Sequence, residues 1–235
     1  MEGRMGEVIV ALDLDTRAEA ETLVARLGDR AGFYKIGYQL FYGGDGFALG
    51  KDLLQAGKKV FFDLKLLDID NTVEKGVAAI AATGATMLTV HAYPKTMRVA
   101  ARAAAGTGLT VLGVTVLTSM DDSDVRDAGY ARDAAGLVQL RAGQAKDAGI
   151  GGVVCSPHEA RIVRDIVGPN LSVVTPGVRP AGSAMGDQKR VMGPREALEA
   201  GASHLVIGRP ITAAPDPVAA YAAIEKEIAG LTRVA

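Results

Sequence analysis

The sequence predicts an α/β protein folded as a single (β/α)8 TIM barrel, and three observations carry that expectation. Short β-rich runs alternate with longer Ala-rich stretches of helical period. The β-rich runs number eight, the count that closes a parallel barrel rather than leaving an open sheet. Glycines recur just past the helical stretches, where a left-handed C-cap favours them. The candidate strands are 7–12, 33–36, 59–64, 87–90, 110–116, 152–155, 172–175 and 204–207. The helical segments between them include 17–27, 72–82, 95–104, 134–148, 157–166 and 195–200, and 217–229 follows the last strand. The punctuating glycines are Gly57, Gly84, Gly108, Gly149 and Gly201. No linker rich in Pro, Gly or Ser divides the chain, so residues 1–235 read as one domain, with 1–6 as an N-terminal tail.

Composition narrows the function classes. Hydrophobic residues make up 49% of the 235, enough for a sizeable core in one barrel. The 26 basic and 27 acidic residues leave a net charge of -1. That balance argues against a nucleic-acid-wrapping surface while leaving room for a local basic pocket. Cys155 is the only cysteine, which excludes an intrachain disulfide and a cysteine metal cluster and fits a reducing, cytoplasmic setting. Near the start, Glu2, Arg4 and Glu7 precede an apolar run that Asp13 ends, too short for a secretory signal. Nowhere do ~20 apolar residues run together, so no membrane span is expected.

Strand parity locates the chemistry, since alternate side chains face the barrel interior and the surrounding helices. In VFFDLK, Val60, Phe62 and Leu64 share the outward parity, and Phe61, Asp63 and Lys65 the inward one. Val8, Val10 and Leu12 face outward, leaving Ile9, Ala11 and Asp13 inward; Tyr34 and Ile36 face outward, Phe33 and Lys35 inward. Asp13, Lys35, Asp63 and Lys65 therefore meet at the C-terminal mouth, where barrel enzymes place their active sites. Asp68 begins the loop after the third strand and is placed to fold back towards them. One such pair alone would read as a solvated strand-end ion pair; four charges at one rim favour a site.

The loops after the seventh and eighth strands read as a phosphate site. Gly208 and Arg209 directly follow the eighth strand, and residues 176–188 form a long loop after the seventh. Many barrels bind phosphate with these two loops. Gly208 lets a backbone N–H approach a ligand, and Arg209 offers a fork of donors; a lone Gly-Arg elsewhere would be a capped strand end. His91 ends the fourth strand on the inward parity but shares no ligand spacing with His158 or His204, so all three read as scaffold or pocket wall and no metal site is expected. Cys155 reads as a buried packing thiol. Gly43-Gly44-Asp45-Gly46 reads as a flexible connection, because no strand-turn-helix GxGxxG accompanies it.

The segment FFDLKLLDIDNT (61–72) resembles the hallmark of the orotidine 5'-phosphate decarboxylase family, usually Asp-x-Lys-x-x-Asp-Ile-Pro-Asn-Thr. VALD (10–13), YKIG (34–37), VTVLTSM (114–120), GVVCS (152–156), VTPGVRP (174–180), GDQKRVM (186–192) and VIGRPIT (206–212) extend the resemblance over nearly the whole chain. Asp70 departs from it, standing where the family commonly has proline and bearing on the stiffness of the loop after the third strand. The resemblance implies loss of CO2 from C6 of orotidine 5'-phosphate to give UMP, in pyrimidine biosynthesis, with no metal and no cofactor. It implies Lys65 as the proton donor to C6, Asp63 beside the departing carboxylate, Lys35 balancing the array and Asp13 accepting hydrogen bonds from the ribose. Thr118 would contact the pyrimidine, and Arg179, Gln188, Gly208 and Arg209 the phosphate. It further implies a homodimer in which Asp68 and Thr72 complete the neighbouring subunit's site. Leu66, Leu67 and Ile69, apolar residues in a rim loop, are consistent with such a partner surface.

Two alternatives stand beside this reading. A magnesium-dependent sugar-phosphate decarboxylase or aldolase, such as a 3-keto-gulonate phosphate decarboxylase, would share the Asp-x-Lys-x-x-Asp core but use an enediolate; VLTSM and GDQKRVM argue against it. A catalytically dead nucleotide-binding barrel is opposed by the presence of every expected charged group.

Overall fold

Alternation along the strands sorts the core into two layers, and that sorting closes the sheet. The computed structural model describes residues 6–180 and 192–231. The chain runs β1 (Glu7–Ala11), α1 (Arg17–Leu27), β2 (Phe33–Ile36), α2 (Tyr38–Gly43), α3 (Gly46–Gln55), β3 (Lys59–Leu66), α4 (Asp70–Ala81), β4 (Met87–His91) and α5 (Pro94–Ala104). It continues through β5 (Thr110–Val114), α6 (Asp122–Asp127), α7 (Ala134–Ala148), β6 (Gly152–Val154), α8 (Ala160–Val167), β7 (Ser172–Pro176), α9 (Pro194–Glu199), β8 (His204–Ile207), α10 (Arg209–Thr212) and α11 (Pro217–Ile228). The strands pair in sequence order, all parallel, and β8 returns to β1 to close the barrel.

Ile9, Ala11, Phe33, Phe61, Met87, Leu112, Val174 and Val206 form one buried cluster, the filled interior. The opposite parity, including Val8, Val10, Tyr34, Ile36, Val60 and Phe62, belongs to the larger cluster shared with the helices. The two layers are those that strand parity predicts. Helix starts follow from local chemistry: Thr16 and Glu19 form a reciprocal capping box on α1, and Asp133 and Asp216 cap α7 and α11. Each such cap stabilises by ~1 kcal/mol.

Several local expectations need correction. The helix predicted over 157–166 begins as a 3-10 turn, Pro157–Glu159, before α8. Gly108 is not a helix cap: α5 stops at Ala104, and Gly106 takes the left-handed conformation with φ 76°. The Gly43–Gly46 stretch is not a slack connection but a tight junction between α2 and α3. Asp45 caps α3 in the left-handed region (φ 59°) and pairs with Arg17 at 3.2 Å. A Cβ on Gly46 would lie 2.7 Å from Phe41 Cα, so the glycine serves close packing. α2, α3, α6 and α10 are not among the predicted helices. Asp70 opens α4, where a carboxylate is favoured by the helix dipole and proline would be equally at home; it pairs with Lys95 at 3.2 Å.

Candidate active site

The ends of β1, β2 and β3 bring four charges into one row. Lys35 on β2 is only 7% exposed, and a buried ammonium needs counter-charges. It has two: Nζ donates to Asp13 Oδ1 at 2.8 Å and lies 3.7 Å from Asp63 Oδ2. Asp63 in turn accepts from Lys65 Nζ, 2.8 Å from Oδ1. The order is Asp13, Lys35, Asp63, Lys65, with alternating sign. Burial alone would push the Asp63 carboxyl up. The ammonium groups of Lys35 and Lys65, with hydrogen bonds from Lys65 and Thr89, outweigh that and hold it below the usual carboxylate range. Asp63 is therefore an anion at neutral pH.

The row lines a cavity of about 530 Å³ together with Thr118, Gly177, Arg179, Gly208 and Arg209. That volume suits a small molecule. Its apolar part comes from the tops of the strands: Ala11, Phe61, Val114, Val154 and Val206. Arg179 is buried, with Nη1 donating to Val178 O at 3.0 Å, while Arg209 is exposed at the start of α10. The cavity thus joins the charged row from the ends of β1–β3 with arginines and glycines from the ends of β7 and β8. Gln188 lies outside the described residues.

Asp68 and Thr72 do not reach this cavity within their own chain. Both are exposed, and Asp68 Oδ1 accepts the Ile69 N–H at 2.6 Å, which turns the carboxylate along its own loop. The expectation that Asp68 folds back onto Lys65 is therefore not met within one chain. The same loop presents Leu67 at 50% and Ile69 at 72% exposure, a large apolar display for a rim loop.

A second correction concerns Lys65 itself. The extended alternation that predicts Asp63 and Lys65 side by side does not hold there: Lys65 has φ 43°, in the left-handed region. The β3–β4 register shifts between Phe62 and Leu66. The two side chains still meet, through a bulge rather than a regular strand.

Sequence reasoning missed several supporting residues. Thr89, fully buried on β4, donates to Asp63 Oδ1 at 2.9 Å; the inward parity that singles out His91 would have found it. Gly37, inside YKIG, leaves space for the row, since a Cβ there would lie 2.9 Å from Lys35 Nζ and 3.0 Å from Asp13 Oδ1. Gln39 and Thr212 also line the cavity.

Of the three histidines, His91 walls a separate pocket of about 220 Å³, beside Arg141, Tyr93 and Tyr130. Burial, then Lys65 and Arg141, lower its pKa against the pull of Asp63, so it is neutral at pH 7. His204 starts β8, at the opposite end of the barrel, with Nδ1 2.9 Å from Ser203 Oγ. His158 sits exposed on the 3-10 turn. Cys155 is buried, and burial pushes its thiol up, as suits a packing residue. Among the described residues no three His, Cys, Asp or Glu side chains converge as a metal-binding group, and no helix is long and apolar enough to cross a membrane.

The chain matches the Orotidine 5'-phosphate decarboxylase / HUMPS family over residues 6–224. It is similar to the crystal structure of orotidine 5'-phosphate decarboxylase from Lactobacillus acidophilus, with 40% sequence identity and a TM-score of 0.83, over 95% of this chain and 99% of that one. It is also similar to the crystal structure of an uncharacterized conserved protein from Geobacillus kaustophilus, at 31% identity and a TM-score of 0.82, over 94% of this chain and 100% of that one.

Proposed function

Because the chain belongs to the Orotidine 5'-phosphate decarboxylase / HUMPS family, we propose that it converts orotidine 5'-phosphate to UMP and CO2, without metal or cofactor, as a cytoplasmic enzyme of pyrimidine biosynthesis. The observation that carries this reading is one cavity lined by both the Asp13–Lys35–Asp63–Lys65 row and Arg179, Gly208 and Arg209. A ligand with a carboxylated ring at one end and a phosphate at the other matches both sets of groups.

In this reaction the C6–carboxylate bond breaks, its electron pair stays on C6, and CO2 leaves. Lys65 Nζ–H gives C6 the proton that completes UMP, and the lysine regains a proton from solvent. Preorganised charge supplies the stabilisation, because the ammonium is already aimed and costs no reorganisation as the carbanion develops. Asp63, anionic and hydrogen-bonded to Lys65, sits beside the departing carboxylate. Lys35 balances Asp13 and Asp63, and Asp13 takes ribose hydroxyls. Both carboxylates of the row already face ammonium groups, which supports a role in charge balance rather than metal ligation.

Thr118 contacts the pyrimidine. Arg179, Gln188, Gly208 and Arg209 grip the phosphate, which does not react; that remote binding energy helps hold the ring in place against the charged row. The working unit in this reading is a homodimer, in which Asp68 and Thr72 reach the partner's cavity. The exposure of Asp68, Leu67 and Ile69 on one loop supports it.

The test is a choice of substrates followed by ultraviolet absorbance and phosphate-ester analysis. Turnover of orotidine 5'-phosphate to UMP, with none of a keto-gulonate phosphate in magnesium, is expected. Magnesium-dependent turnover of the keto-sugar phosphate alone would replace this reading with the sugar-phosphate one.

A further inference from the structure

The aim of Lys65 depends on an irregularity that a strand does not adopt unaided. A non-glycine residue in the left-handed region costs on the order of 1–2 kcal/mol, and at Lys65 it falls inside β3, where the register with β4 slips. A slip removes ladder partners from peptide groups, and buried peptide groups must find others.

The peptide between Leu64 and Lys65 finds two, and both are side chains. The Lys65 N–H donates to Thr89 Oγ1 at 2.9 Å, and the Leu64 carbonyl accepts from the Tyr38 hydroxyl at 2.9 Å. The two bonds hold opposite ends of one peptide plane. Each side chain also reaches the charged row. The Thr89 hydroxyl donates to Asp63 Oδ1 at 2.9 Å, the same oxygen that accepts Lys65 Nζ at 2.8 Å. The Tyr38 ring centroid lies 5.4 Å from Lys65 Nζ, within cation–π range. The roles at Thr89 leave little choice: a backbone N–H can only donate, so the hydroxyl accepts there and spends its single hydrogen on Asp63.

We propose that Thr89 and Tyr38 are positioning residues, a side-chain clamp on the 64–65 peptide that sets the direction of the Lys65 ammonium and its pairing with Asp63. The catalytic part of this inference rests on the decarboxylase reading; the clamp itself rests on the geometry. Burial, with Tyr42 and Asp63 adding to it, raises the Tyr38 phenol, so the phenol keeps its proton and donates at neutral pH. Thr89 differs from a space-filling residue in one checkable way, because its hydrogen bond is one of the influences holding the Asp63 carboxyl down.

The groups facing Asp63 are Lys35 from β2, Tyr38 from α2, Thr89 and His91 from β4, and its own neighbour Lys65, with Asp13 behind Lys35. Replacing only the hydroxyl of Thr89 leaves every other one of these in place. Thr89→Val does so with nearly unchanged shape, and Thr89→Ser restores the hydroxyl.

The experiment pairs steady-state kinetics on orotidine 5'-phosphate with a ¹³C NMR titration of the Asp63 carboxyl in ligand-free protein. For Thr89→Val, kcat should fall at least tenfold with KM within about threefold of wild type, since a misplacement near 1 Å can cost on the order of 10²-fold. The Asp63 titration should move to higher pH, and Thr89→Ser should recover both. A folded Thr89→Val protein with wild-type kcat and an unmoved Asp63 titration would overturn the clamp. If wild type fails to turn over orotidine 5'-phosphate, the decarboxylase reading falls, and the NMR titration alone still decides the clamp. Should Thr89→Val not fold, Tyr38→Phe decides, because it keeps the ring and deletes only the bond to Leu64 O: a severalfold fall in kcat supports the clamp, and wild-type kcat sinks it.

Discussion

Gly37→Ala places one methyl group between the first two members of the charged row. The new Cβ would lie 2.9 Å from Lys35 Nζ and 3.0 Å from Asp13 Oδ1, where ordinary contact begins at 3.4 Å. Both groups must therefore retreat by roughly 0.5–1 Å, taking ordinary carbon contacts as the guide. Lys35 stands 3.7 Å from Asp63. At an effective dielectric of ~20 that pair interacts by about 4.5 kcal/mol, and a 1 Å retreat removes about 1 kcal/mol, roughly fivefold in rate if expressed in the transition state. Strain on the Lys35–Asp13 hydrogen bond adds to this, since charged hydrogen bonds contribute ~1.5–3 kcal/mol. A fall in kcat/KM of about 5- to 50-fold is expected.

The fold should not suffer, for the backbone at Gly37 has φ −101°, open to alanine, and alanine lowers unfolded-chain entropy by ~0.4–1 kcal/mol. The assay is the absorbance change on conversion of orotidine 5'-phosphate, with a melting curve beside it. Gly43→Ala, where a Cβ meets nothing within 4 Å, is the control and should match wild type. Kinetic constants within twofold of wild type in folded Gly37→Ala would refute the claim that the row's spacing matters.

Three further outcomes follow from the same geometry. Arg209→Ala should weaken use of orotidine 5'-phosphate tenfold or more, by loss of ~1.5–3 kcal/mol of charged hydrogen bonding, while hardly changing binding of orotidine, as read by titration with each; equal losses on both would make Arg209 a fold residue. Mixing Lys65→Ala and Asp68→Ala chains, each inactive alone, should restore activity at one site of two in the mixed dimer, and verified subunit exchange without recovery would place Asp68 in its own chain's service. Asp63, whose carboxyl is held down in the fold, contributes stability that is fully present above its unfolded value of ~3.9 and is lost as pH falls through the lower folded value. The stability gap between wild type and Asp63→Asn, measured by urea unfolding, should therefore be constant near neutrality and close in strong acid; an unchanged gap at pH 2 would contradict the ion-pair origin of the shift.

The architecture was legible because its signals are long-range and repeated. Eight alternating runs and a consistent parity predict both the closed barrel and its two core layers, and Ile9, Phe33 and Phe61 fall inside as alternation requires. The charged row was legible for the same reason, since Asp13, Lys35 and Asp63 stand on inward parity at strand ends. Lys65 was found for an incomplete reason: its neighbours in sequence mark it, but a bulge with φ 43° places it, and no alternation rule encodes a bulge. Thr89 and Tyr38 escaped notice because each carries an ordinary side chain whose importance comes from contacts 24–26 residues away. Asp68 shows the opposite limit. Its motif position is clear, yet within one chain its carboxylate accepts the Ile69 N–H of its own loop, a local turn that strand parity does not encode.

In the proposed reaction Lys65, on a preorganised row of charges, protonates C6 without help from a metal or cofactor. The most direct measurement is CO2 release and UMP formation from orotidine 5'-phosphate by exhaustively chelated protein, with folded Lys65→Ala in parallel. Full activity of the chelated wild type is predicted, together with a loss in Lys65→Ala that exceeds the ~10²–10⁴-fold contribution of general acid catalysis alone. Activity that vanishes on chelation and returns with magnesium, or near wild-type turnover by Lys65→Ala, would contradict it.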